Sequence, residues 1–234
     1  MHIESLKIAE VEIEVTFKPI KNLHLSVHPP EGRVTIASPD FYDLEKVKIY
    51  AASKLGWIKK EQRKFRDQAR EDERLMITRE SHYLFGERYL LDVRQSNRNS
   101  IQILGKKMIL HVKDVEDLQL KKAILYRFYR KELRNKLKVM VQQYAALLRV
   151  DVPEFKIRVM KTKWGSCATD LKRIWFNIEL AKKPIDCIEY IVVHELVHLL
   201  ERNHNKRFIL LMDQYSPSWR TQKKLLNDLP IGII

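Results

Sequence analysis

One stretch constrains this chain more than any other. Along residues 191–200, Ile191, Val192, Val193, Leu196, Val197, Leu199 and Leu200 surround His194, Glu195 and His198, so a core helix has to carry three side chains that bring chemistry with them. Residues four apart in a helix share a face, so His194 and His198 aim two imidazoles at one tetrahedral ion. Glu195 follows the first by about 100° of rotation and can stand beside that ion without binding it.

The order H-E-x-x-H on an apolar helix points to a zinc hydrolase. Zinc with three protein ligands keeps a fourth position for water and lowers its pKa toward ~7. Glu195 is then the general base, taking the water's proton and passing it to the leaving nitrogen. A third ligand is required, and no Glu follows Glu201. His204 is the natural candidate, giving H-E-x-x-H-x5-H and one zinc ion, with Asp213 next in line. His204 is out of phase with the His194–His198 face, which predicts a helix ending near Arg202 and Asn203, with Asn203 in a left-handed turn.

The rest of the chain supplies a scaffold. Residues 10–17 alternate Val11, Ile13, Val15 and Phe17 with Glu10, Glu12, Glu14 and Thr16, and 23–27 and 34–37 add short strands. A helix is predicted from Tyr42 to Ala69. Strands at 82–85, 89–93, 101–104 and 108–112 read as two hairpins extending the first sheet. A helix of roughly thirty residues runs from Asp114–Asp117 to Arg149. Phe155–Lys161 and Arg173–Phe176 read as a hairpin around Trp164-Gly165-Ser166-Cys167, and Pro184 with Asp186 opens the histidine helix. No internal repeat is visible. The expected division is a β-rich region over 1–113 and a catalytic domain over 114–234.

The net charge of +14 is uneven: Lys and Arg against Asp and Glu give 30 − 20 = +10 over 1–150 and 14 − 10 = +4 over 151–234. Arg130, Arg134 and Lys138, on the second long helix, are candidate nucleic-acid contacts through phosphate neutralisation. No apolar run is long enough to span a membrane, the start of the chain lacks the pattern of a signal peptide, and Cys167 and Cys187 are too few for a disulfide scaffold. A cytoplasmic protein without membrane association is expected. Tyr215 is a candidate oxyanion partner for a scissile carbonyl.

Trp164-Gly165-Ser166-Cys167, Asn177-Ile178-Glu179-Leu180, Tyr190 to Leu199 and Asn203-His204-Asn205-Lys206-Arg207-Phe208 together resemble the YgjP-like metallopeptidases, zincins related to the SprT and WLM proteases. The resemblance covers most of the chain and is strongest between Lys161 and Phe208. It implies a third ligand at His204 and a protein or peptide substrate. Ile178, Glu179 and Ile209 depart from the residues common in that family, and Glu201 replaces the glycine by which other three-histidine proteases turn toward their third ligand. The expected fold is α+β, an N-terminal β-rich region with long helices before a minimal zincin domain, and the expected function is zinc-dependent peptide hydrolysis. The alternative is a nucleic-acid-associated binding protein with a structural or degenerate zincin domain.

Overall fold

Alternation builds the first sheet. Along β2 (Val11–Lys18), Val11, Ile13 and Val15 are buried while Glu12 and Glu14 are exposed. Strands β1 (His2–Ile8), β2, β3 (His24–His28) and β4 (Arg33–Pro39) lie in the order β1-β2-β4-β3. The outer pairs are antiparallel and the central pair β2/β4 is parallel, setting Ile13 opposite Val34 and Val15 opposite Ile36. The computed structural model describes residues 2–28, 31–67, 74–151, 154–160 and 162–229, and the chain divides into two compact units, Met1–Ala69 and Arg70–Ile234.

The sheet's apolar face is covered by α1 (Leu44–Ser53) and α2 (Leu55–Asp67), which bury Val47, Ala51 and Ile58 against Val15, Val34 and Ile36. Asp43 caps α1, its carboxylate accepting from the Lys46 N–H at 2.8 Å. The single helix expected from Tyr42 is thus two, broken at Lys54, whose N–H turns back to the carbonyls of Ala51 and Ala52. Its expected end at Ala69 and the Phe65 side chain lie outside the described residues.

The next four strands do not widen that sheet. β5 (Ser81–Leu84), β6 (Glu87–Gln95), β7 (Ser100–Leu104) and β8 (Lys107–Val112) form their own, in the order β5-β6-β8-β7, again with a parallel central pair. The two sheets share one topology that no sequence repeat announces. Leu91, Met108, Leu110 and Val112 join one core with Ile124, Leu133 and Leu137 of the next helix and with Val192, Val193 and Leu196. The boundary expected at 113/114 therefore runs through a shared core, and the division falls at 69/70. A strand with an apolar face goes to whichever helix can cover it, which local sequence does not reveal.

That next helix, α3 (Leu118–Leu148), has the bounds its pattern predicts: it begins where the Asp117 carboxylate accepts from the Leu120 N–H, and it ends at Arg149, which adopts a left-handed conformation. A three-stranded sheet follows, made of β9 (Glu154–Arg158), β10 (Gly165–Ala168) and β11 (Arg173–Asn177) in the order β10-β11-β9. The hairpin expected between 155–161 and 173–176 is corrected here: β9 runs parallel to β11, and β11's antiparallel partner is the Gly165–Ala168 segment itself. α4 (Ile185–Val197), α5 (Lys206–Tyr215) and α6 (Trp219–Asp228) complete an α+β fold. Among the described residues no helix is long and apolar enough to cross a membrane.

Candidate active site

Helix α4 is buried along nearly its whole length, with Ile188, Val192, Val193, Leu196 and Val197 fully inside. His194 and His198 sit on its half-buried face. The helix closes earlier than expected, at Val197. Leu199 N–H then bonds to the Leu196 carbonyl at 3.0 Å and Leu200 N–H to that of Val197 at 2.9 Å, i to i+3 links that tighten the last turn. Asn203 is not left-handed, and no described residue from 198 to 205 has positive φ. The tightened turn reverses the chain without it, and Asn205 then caps α5, its side chain accepting from the Phe208 N–H at 3.0 Å.

This turn brings His204 back to the other two histidines. The candidate ligand atoms of His194, His198 and His204 all lie within 4.8 Å of one another. The Nε2 atoms of His194 and His204 are 3.2 Å apart. Two nitrogens on one tetrahedral zinc, each about 2.0–2.1 Å from it, would be about 3.3–3.4 Å apart. Nδ1 of His198 lies 3.2 Å from the Glu201 carbonyl, which fixes that nitrogen as donor and leaves Nε2 free for a metal. Phe208 backs all three rings, its centroid 4.6–5.0 Å from each. Burial, with repulsion from the neighbouring imidazoles, pushes His194 down to about 3 and holds His198 below the ordinary histidine range. Both are neutral at pH 7, the form that binds metal. The set therefore fits one zinc ion.

Glu195 is only 4% exposed, and its Oε2 has no hydrogen-bond partner among the described residues. Burial pushes its carboxyl up to about 8, against the pull of the Lys163 charge. It is seated on Gly165: a β-carbon there would come within 2.5 Å of Glu195 Oε1 and 2.7 Å of its Cγ. Gly165 is in turn held by Asn177, whose Nδ2 donates to the carbonyls of Met160 and Lys163, both at 2.8 Å, while its N–H bonds to Trp164 O. Sequence reasoning did not assign roles to these two residues. The signal was the quoted Trp-Gly-Ser-Cys and Asn-x-x-Leu segments, whose partner, Glu195, is distant in sequence.

The site opens on a cleft of about 660 Å³ lined by β10, Tyr190, the histidines, Arg202 and Lys223. Trp164 lines it and is overlain by Lys183, whereas Trp175 packs under Arg158 away from it. Cys167 also lines the cleft as a thiol, its pKa pushed up to about 11 by burial and by Glu195. Tyr215 is half-buried against the core and not among the lining residues. Asp213, the reserve ligand, is engaged elsewhere, accepting from Trp219 Nε1 at 2.7 Å and pairing with Arg220. Glu179 is buried, paired with Lys182 at 2.7 Å and accepting from the Tyr126 hydroxyl, so this family departure lies in the core. Of the basic residues of α3, Arg130 donates to the Ile157 carbonyl, while Arg134 and Lys138 are exposed.

No curated protein matches the chain. Solved structures that resemble part of it include two metallopeptidase zymogens. The metallopeptidase zymogen jannalysin of Methanocaldococcus jannaschii is 21% identical with a TM-score of 0.36, covering 38% of this chain and 92% of its own. The metallopeptidase zymogen abylysin of Pyrococcus abyssi is 18% identical with a TM-score of 0.34, covering 38% and 95%. The YgjP-like metallopeptidase domain model matches residues 21–229, almost the whole length over which the triad, its glutamate and their scaffold are built, and the chain belongs to the YgjP-like metallopeptidase family.

Proposed function

We propose that this protein is a zinc-dependent metallopeptidase that hydrolyses peptide bonds with Glu195 as general base. One juxtaposition carries the reading: three convergent imidazoles beside a buried carboxylate with an unpartnered oxygen, at the floor of an open cleft. His194, His198 and His204 would hold the metal. When bound, zinc supplies an activated water, with a pKa lowered toward ~7. Glu195 takes a proton at its carboxylate and delivers it to the leaving nitrogen, and a carboxyl raised by burial toward neutrality suits both halves of that transfer.

The other residues position the substrate and the base. β10 is the outer strand of its sheet and lines the cleft, so an extended peptide can add to it by main-chain hydrogen bonds. Gly165 keeps the Glu195 carboxylate close beneath that peptide, and Phe208 holds the imidazoles from behind. The alternative of a degenerate site on a nucleic-acid-binding protein finds less support, since the ligand set is complete and Arg130 is committed to the Ile157 carbonyl.

The test is Glu195→Gln against wild type on an unfolded protein mixture, with zinc content matched by elemental analysis. The variant is expected to keep metal and fold while cleaving ~10²–10⁴-fold more slowly. Equal cleavage by both proteins rules out Glu195 as the base.

A further inference from the structure

The rim of the cleft is cationic. Lys163, Arg202 and Lys223 all line it and are all exposed, against one rim carboxylate, Asp170. They come from three separate places, the loop before β10, the turn after α4, and α6. None has an ion-pair partner among the described residues. Other cations nearby are drawn away by carboxylates, Arg220 by Asp213, Arg207 by Glu201 and Lys182 by Glu179. Lys163 and Lys223 line the same cleft as Glu195 and His194, so both flank the reacting centre. Trp164, Tyr190, Ile191 and Leu226 form apolar walls that focus such a field.

We infer that Lys163, Arg202 and Lys223 select peptides with acidic side chains near the bond to be cleaved. The inference rests on the peptidase reading for the word cleaved; the charge selection itself is a property of binding. A peptide fits better than a polynucleotide because β10 offers a strand edge, while the aromatic faces that could stack bases are occupied. Trp164 is overlain by Lys183, and Trp219 stacks on Tyr190 at 6.4 Å and is covered by Arg220 and Lys223.

Binding is measured by fluorescence anisotropy on zinc-loaded Glu195→Gln protein, with labelled peptides of one length that differ only in carrying Glu, Gln or Lys around the central bond. The expected order is Glu tightest and Lys weakest, with the gap narrowing from about 50 to about 500 mM salt. Lys163→Gln, Arg202→Gln and Lys223→Gln are each expected to weaken the Glu peptide about two- to fivefold and to tighten the Lys peptide. All three positions are exposed, so the fold should survive, which a thermal melt checks. Equal binding of the three peptides, undetectable binding of all, or a loss in the variants that ignores peptide charge would overturn the inference. So would a single-stranded oligonucleotide that displaces the Glu peptide more effectively, per charge, than unlabelled Glu peptide does. If wild type cleaves no peptide while the order holds, the peptidase reading fails and charge selection stands; cleavage without the order gives the reverse.

Discussion

A β-carbon at Gly165 would have to share space with the Glu195 carboxylate, and the end of a flexible side chain yields before a backbone does. Gly165→Ala should therefore move the carboxylate by a fraction of an ångström to an ångström, at a stability cost of about 1–3 kcal/mol. Because reacting groups displaced by that much lose on the order of a hundredfold in rate, cleavage should fall ~10²-fold while zinc stays at one per chain. Unchanged cleavage in Gly165→Ala would show that the base tolerates displacement and that this contact is incidental. His204→Ala probes a different atom. Changes in groups that merely orient a ligand cost 10–100-fold in metal affinity, so loss of a ligand itself should cost more than about a hundredfold. A metal titration that gives His204→Ala the affinity of wild type would exclude it from the site.

At the scale of elements, the site depends on two short connections. One is the turn from His198 to Asn205, whose Glu201 carbonyl orients His198 and whose last residue starts α5. The other leads into β10, where the carbonyls of Met160 and Lys163 are tied by the two Asn177 donors to the end of β11. Asn177→Asp keeps the shape and the acceptor for the Glu179 N–H but replaces both donors with acceptors facing carbonyls. It should lower stability by about 1–3 kcal/mol and reduce cleavage more than Asn177→Ala does. A melting curve and rate for Asn177→Asp that match wild type would remove Asn177 from the support of Gly165. Helix α3 was legible because its cap and apolar spacing are written locally, as Asp117 shows, whereas the break at Lys54 that divides the helix expected from Tyr42 was not. The parallel pairing of β9 with β11 was not, because strand direction is set by what crosses between strands rather than by the strands themselves.

Across the molecule, acid and chelation act on the unit that holds the histidines. His82, His194 and His198 are all held below the ordinary histidine value, chiefly by burial. Their unfolded forms take up protons around 6.5 while the folded forms do not, so the unfolded state binds more protons in that range. Stability from these groups is thus complete above about pH 6.5 and is lost progressively as the pH falls below it. Glu195, raised to about 8, opposes this loss, because its folded form already holds the proton that its unfolded form takes up only near 4.5, so the histidine part is read by difference: in metal-free protein the stability change from pH 7 to pH 5 should be less unfavourable in His82→Gln than in wild type. The same change over that range in both proteins would contradict this linkage. Adding zinc at roughly a hundred times its dissociation constant should stabilise the fold by about 2.7 kcal/mol, reversed by a chelator. A melt indifferent to both would mean no metal binds the folded chain.

The candidate ligands and base were legible in the sequence. Ligand spacing along a helix is a local property, so His194, Glu195 and His198 could be read as a set, and the lack of any later Glu left His204 as the natural third candidate. The triad's convergence agrees with that reading. What surrounds the triad was not legible in the sequence, because it depends on how distant segments pack. Gly165 under Glu195, the Asn177 ties and the unpaired cations on the rim all join residues far apart in the chain. So does the sharing of one core between the second sheet and α3 and α4, which moved the division of the chain to 69/70. Periodicity tells a residue to be buried, but which neighbour buries it is settled only when the whole core is packed at once.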